Sequence, residues 1–123
     1  MPAIKVVLYK DEDGSVPVLD WLHALRPRKA VMKCVVLIEL LKQFVPALRR
    51  PHSDILRDGI HELRTHLGRV QLRMLYFFHG QTAVVSHGFV KPKAQVASDE
   101  IDLAVMRKKQ FARDPDAHSY EED

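Results

Sequence analysis

The chain is poor in cysteine and glycine, and it has no long apolar run. Cys34 is the only cysteine among 123 residues, so no disulfide can form within the chain. Zinc would have to be held by histidines or carboxylates. No apolar stretch approaches the roughly 20 residues that span a bilayer, so no membrane segment is expected. The first residues, MPAIKVVLYKDEDG, lack the apolar centre and cleavage site of a secretory signal, and the cytoplasm is the expected compartment. With five glycines, each one marks a position worth reading.

Charge is what the chain has in quantity, and it is unevenly placed. All 19 Lys and Arg precede residue 114, whereas five of the 16 acids fall in the last ten residues, DPDAHSYEED. Length predicts one domain, residues 1–113, followed by an acidic and flexible tail, 114–123. A basic body points to an anionic partner, nucleic acid first, or simply to a solvated basic surface.

IKVVLY (4–9) reads as a strand stopped by DEDG. Ser15 then stands as an N-cap with Pro17 in the first turn, and Val18, Trp21, Leu22 and Leu25 share a helical face. A second helix, from about Lys29 to Phe44, carries Val31, Cys34, Val35, Ile38 and Leu41 as its stripe. ALRRPHSDILRDG reads as a loop. IHELRTHL, VQLRMLYFFH and TAVVSHGFVK are three strands, separated by Gly68-Arg69 and Gly80-Gln81 as two-residue turns of type II′. A last helix, capped by Ser98, should end near Arg113. The expected fold is α+β, a small antiparallel sheet in the order βααβββα. The two N-terminal helices pack on one sheet face, and a C-terminal helix follows.

The two turns fix a register, and the register sorts residues by face. Leu63, Val70, Leu72, Met74, Tyr76, Phe78, Ala83, Val85 and Phe89 share the core face. Glu62, Arg64, His66, Gln71, Arg73, Leu75, Phe77, Val84, Ser86, Gly88 and Val90 share the other. Arg64 falls directly opposite Arg73, which is unfavourable unless a negative group lies between them. Gly88 would leave a gap beside Arg73. Two readings stand side by side: structural ion pairs with Glu62, Asp99 or Glu100, or a seat for a phosphate helped by Lys91 and Lys93. His66 is the candidate for proton transfer, His87 a hydrogen-bonded core residue, and Phe77 a base-stacking or packing residue. The histidines show no metal-ligand spacing, and there is no nucleophile or phosphate-loop motif.

The segments ILRDGIHELR, GRVQLRMLYFFHG, VVSHGFVKPK and EIDLAVMR resemble the RelE/HigB superfamily of toxins from type II toxin–antitoxin pairs, nearest its phage-derived HigB-like branch. The resemblance covers about residues 4–111. It implies a RelE-like fold and, as activity, metal-independent cleavage of mRNA on the ribosome, with no cofactor. In that chemistry the ribose 2′-OH attacks the adjacent phosphate. By the same resemblance Arg73 stabilises the transition state, Arg64 positions the phosphate, and Lys91 adds charge or acts as the acid. Lys93, Arg69 and Phe77 would contact substrate. His66, or His118 and Tyr120 in the tail, would move protons. Expected partners are mRNA, the ribosome and a helix-turn-helix antitoxin. Pro92, Gln95 and Ala97 stand where the branch shows lysine, lysine and proline. A non-catalytic relative that binds RNA or an antitoxin is the alternative, and a ParE-like gyrase poison a further one.

Overall fold

The computed structural model describes residues 5–45, 48, 50–92 and 96–121. The chain runs β1 (Lys5–Tyr9), α1 (Pro17–Ala24), α2 (Arg28–Phe44), β2 (Ser53–Ile55), β3 (His61–Leu67), β4 (Val70–His79), β5 (Thr82–Lys91), α3 (Ser98–Arg113) and β6 (Ser119–Tyr120). Among the described residues the fold is α+β with three helices and six strands, in the sheet order β2-β3-β4-β5-β1-β6.

The expected small antiparallel sheet is corrected in two ways. It is mixed, because β1 lies parallel to β5, with Val7 level with Val84. The connection from β1 to β5 runs through both helices and three alternating strands, which leaves β5 parallel to β1, an outcome that a tight turn could not give. It also gains an edge strand at each end. β2 forms inside the predicted loop, and Ser119–Tyr120 of the predicted flexible tail pair antiparallel with Tyr9 and Leu8. The continuous apolar run of β1 is explained by burial on both faces. Leu8 belongs to the core under α1 and α2, while Val7 and Tyr9 belong to a second core under α3.

These two cores make three layers. Leu22, Cys34, Leu37, Ile38 and Leu41 pack on Leu63, Leu72, Met74, Tyr76 and Val85. On the opposite face Ile101, Ala104 and Phe111 pack on Leu75, Phe77 and Val84. The stripe of α2 is turned from the predicted one. Ala30 and Leu37 are buried with Cys34, Ile38 and Leu41, and Val35 is 40% exposed. Burial pushes the Cys34 thiol up to about 11, which removes it as a nucleophile. The helix caps also differ from expectation. Ser15 Oγ donates to Asp13 rather than capping α1, and Ser98 is the first residue of α3, its Oγ accepting from Arg57 at 2.8 Å.

The two hairpin turns behave as read. Gly68 and Gly80 have φ of 59° and 56°, and the residue after each does not, as type II′ requires. The first hairpin keeps its register throughout, Arg64 opposite Arg73. The second does not. A bulge places Tyr76 opposite Val85 but Leu75 opposite His87, with Ser86 as the extra residue. A bulge shifts every later residue to the other face. His87 and Phe89 therefore join the α3 side, and Phe89, not Gly88, is the partner of Arg73. Gly88 lies opposite Met74 and under the indole of Trp21 from α1.

Candidate functional site: an arginine cleft at the sheet edge

The β3–β4 turn brings Arg64 and Arg73 face to face on adjacent strands. Glu62, two residues along β3, supplies the missing negative group. Its Oε1 lies 3.5 Å from Arg64 Nε and its Oε2 3.6 Å from Arg73 Nε. The ion-pair reading holds for Glu62, and the same cluster lines an open cleft. Arg73 is 3% exposed. Its Nη1 donates to the carbonyls of Thr65 (3.1 Å) and Leu72 (2.9 Å), and its Nη2 to Gln71 Oε1 (3.3 Å). Those bonds fix the guanidinium plane. Burial, and secondarily Arg64, lowers the Arg73 pKa, while Glu62 opposes the shift. Arg64 is half-buried and reaches outward to Asp54 Oδ2 at 3.9 Å. Asp54 is held more closely by Arg50, at 2.6 Å.

The cleft beside this pair has a volume of about 270 Å³ and is bordered by Arg64, Arg73, Gln71, His66 and His52. His66 is exposed, and its Nδ1 lies 3.2 Å from the Gly68 carbonyl. A carbonyl accepts only, so Nδ1 carries the hydrogen and Nε2 holds the lone pair of the neutral ring. His52, inside the segment read from the sequence as a loop, joins the cleft because the amide of Arg64 donates to its carbonyl at 2.8 Å. Nothing in the local pattern of ALRRPHSDILRDG announces that pairing. Lys91 lies level with Gln71 at the end of β5. Burial lowers its pKa first, then Arg73 and Arg64, with Glu62 working against them. The ammonium is thus a stronger acid than a free lysine and feels both arginines. Four cations, Arg50, Arg64, Arg73 and Lys91, face two carboxylates here, which leaves the edge positive. Among the described residues no group of three His, Cys, Asp or Glu is placed to hold a metal ion.

Other predicted residues lie elsewhere. Arg69 is exposed in the hairpin turn and does not border the cleft. Lys93 lies outside the described residues. Phe77 is fully buried, edge-on to Phe111 with centroids 6.0 Å apart, so α3 covers the face a base would need. The gap expected beside Arg73 is filled by Phe89. His118 and Tyr120 do not lie beside the arginine cleft. β6 carries Tyr120 to β1, beyond β5 from the cleft, and His118 is buried against Tyr9, stacked at 5.1 Å, with its Nδ1 2.8 Å from the Lys10 carbonyl.

His87 is buried and hydrogen-bonded, in the second core rather than the first. The bulge turns it towards α3, where Nδ1 meets Ser86 Oγ at 2.8 Å and Nε2 meets Glu100 Oε1 at 3.1 Å. Ser86–His87–Glu100 has the connectivity of a nucleophile relay. Ser86 is fully buried, so no substrate reaches it, and the chain of bonds serves to hold α3 on the sheet. Arg107 completes this latch, 5.3 Å from the Tyr9 ring centroid and 3.7 Å from Asp11.

The latch predicts a pH dependence. Burial and then Arg107 hold His87 below 6.5, while Glu100 pulls the other way. Burial and Lys108 also hold His61 below 6.5. The folded state disfavours the charged ring in both. Their contribution to stability is complete above about pH 6.5 and is lost as pH falls through the folded values. Thermal melts should therefore show a falling Tm from pH 7 to pH 5, and His87→Gln should flatten that slope. An equal slope in both proteins would remove His87 as its source.

No helix of the described chain is long and apolar enough to cross a membrane. No curated protein matches the chain. The family described as phage derived protein Gp49-like (DUF891) matches residues 20–109, from α1 to the last turns of α3. That span contains every residue of the arginine cleft. The chain belongs to this Gp49-like, phage-derived family, which is associated with toxin–antitoxin systems.

Proposed function

We propose that the chain is the toxin of a type II toxin–antitoxin pair, a RelE/HigB-like ribonuclease that cleaves mRNA on the ribosome in the cytoplasm. The observation that carries this reading is the facing pair Arg64 and Arg73, held by Glu62 at the wall of an open, positively charged cleft. The order β1-α1-α2-β3-β4-β5-α3 supports a RelE-like core with β2 and β6 added at its edges. Family membership supports the toxin assignment.

In the proposed reaction the 2′-oxygen forms a bond to phosphorus as the bond to the 5′-oxygen breaks. A 2′,3′-cyclic phosphate and a 5′-hydroxyl result. Arg64 and Arg73 offset the charge that gathers on the phosphoryl oxygens, which is where fixed cations contribute most. Neutral His66 takes the 2′-OH proton through Nε2, and Lys91, its acidity raised, delivers one to the leaving oxygen. Glu62 is a positioning residue that pairs with both like charges and keeps them side by side. A helix-turn-helix antitoxin would hold the toxin in check.

Primer extension on mRNA from cells expressing the chain tests this. Wild type should give discrete stops and arrest growth, and Arg64→Ala and Lys91→Ala should reduce cleavage about 100-fold. Intact mRNA in all three cultures would overturn it. A second reading, RNA binding without cleavage, is favoured by the 3% exposure of Arg73 and the engagement of both its Nη atoms by protein. RNA affinity falling steeply with salt, with no cleavage even on ribosomes, would select it.

A further inference from the structure

A second cleft, of about 360 Å³, is lined by residues of β2, β3 and β4. Its wall is aromatic. His61 stacks on Tyr76 with centroids 5.0 Å apart and rings 24° from parallel, and meets Phe78 edge-on at 5.2 Å. His61 and Phe78 are half-buried, so their rings border open space rather than closing the core. Burial and Lys108 keep the His61 ring neutral, the form that stacks without the cost of desolvating a charge. Ser53 Oγ and Tyr76 OH lie 2.6 Å apart in a buried pair at the same wall. Two hydroxyls hold two hydrogens, and their mutual bond uses one. The other has no acceptor among the described residues, although buried polar groups are nearly always paired.

The two clefts are neighbours joined by charge. Asp54 borders the aromatic cleft and lies 3.9 Å from Arg64 in the other. Arg50, also bordering the aromatic cleft, binds Asp54 at 2.6 Å. A chain that lays a phosphate on Arg64 therefore passes Arg50 on its way to the aromatic wall. Alternating anions and flat rings are the chemistry of single-stranded nucleic acid. The geometry points to a nucleobase subsite on the wall that His61 and Phe78 form together, occupied by a base flanking the phosphate that sits on Arg64. The inference rests on the RNA reading above and adds where the strand goes. The base's edge acceptor takes the spare hydroxyl hydrogen of the Ser53–Tyr76 pair, and its ring stacks on the aromatic wall.

The test uses the full chain and an uncleavable 2′-O-methyl RNA carrying 2-aminopurine at successive positions. One position should lose fluorescence on binding. An abasic site there should weaken wild-type binding roughly tenfold. His61→Ala and Phe78→Leu should weaken the intact RNA by a similar factor and become insensitive to the abasic site. Arg64→Ala should lower affinity and reduce the salt slope by about one, yet keep the fluorescence loss. The abasic arm alters only the RNA, so it decides even if a variant misfolds. Binding with an Arg64-dependent salt slope but no quenched position overturns the subsite alone and leaves the cleft to a protein side chain. Absence of RNA binding at low salt overturns the subsite together with the RNA reading.

Discussion

Arg73→Ala is expected to abolish RNA cleavage and to cost about 3 kcal/mol of stability at once. The two losses have different causes. Arg73 and Glu62 are 3% and 4% exposed, and removing one partner of a buried ion pair leaves the other charge unpaired in a poor solvent. The usual cost is about 3–5 kcal/mol, and Arg64, still 3.5 Å from Glu62, keeps it at the lower end. The lost bonds to Thr65, Leu72 and Gln71 add to it. Replacing both charges removes the penalty, so Glu62→Gln with Arg73→Met should recover most of the stability in urea denaturation while cleavage stays absent. Arg73→Lys should fall between, because an ammonium cannot reproduce the planar fork that reaches three acceptors. A loss below about 1 kcal/mol for Arg73→Ala would mean that Glu62 finds water or another partner. A double variant that still cleaves RNA would remove Arg73 from the reaction.

Gly88→Ala is expected to destabilise the fold by about 2 kcal/mol although it adds a single methyl group. Its backbone is not in the left-handed region, so the cause is steric. A Cβ at Gly88 would enter the six-membered ring of Trp21 at Cε3 and Cζ3. The indole has to move, and with it α1, which carries the buried Val18 and Leu22. Trp21→Leu alone should cost stability through lost apolar contact, and combined with Gly88→Ala it should cost little more. Strict additivity of the two losses would show that Trp21 does not rest on Gly88. RNA binding should be unaffected at equal folded fraction, since Gly88 faces away from the arginine cleft.

What the sequence by itself determined is what local geometry controls. Glycine-first turns at Gly68 and Gly80, with alternation along the strands, place Arg64 opposite Arg73 in the structure as in the reading of the sequence. They do so because a two-residue turn admits one register and one register puts each residue on one face. The apolar periods of the helices were legible for the same reason, to within the turn that exchanges Val35 for Leu37 on α2. The tertiary structure decided what depends on partners distant in the chain. The bulge at Ser86 sets Gly88 under Trp21 of α1 and His87 against Glu100 of α3, and neither partner is visible in the pattern of β5. The docking of residues 118–120 on β1, and of His52 beside Arg64, is likewise settled by edges that exist only once the sheet has formed. Turn chemistry acts over two residues, whereas burial and pairing act across the whole sheet. The sequence therefore brought the two arginines together, and only the packed layers showed that Glu62 holds them, that α3 covers Phe77, and that an aromatic cleft lies beside them.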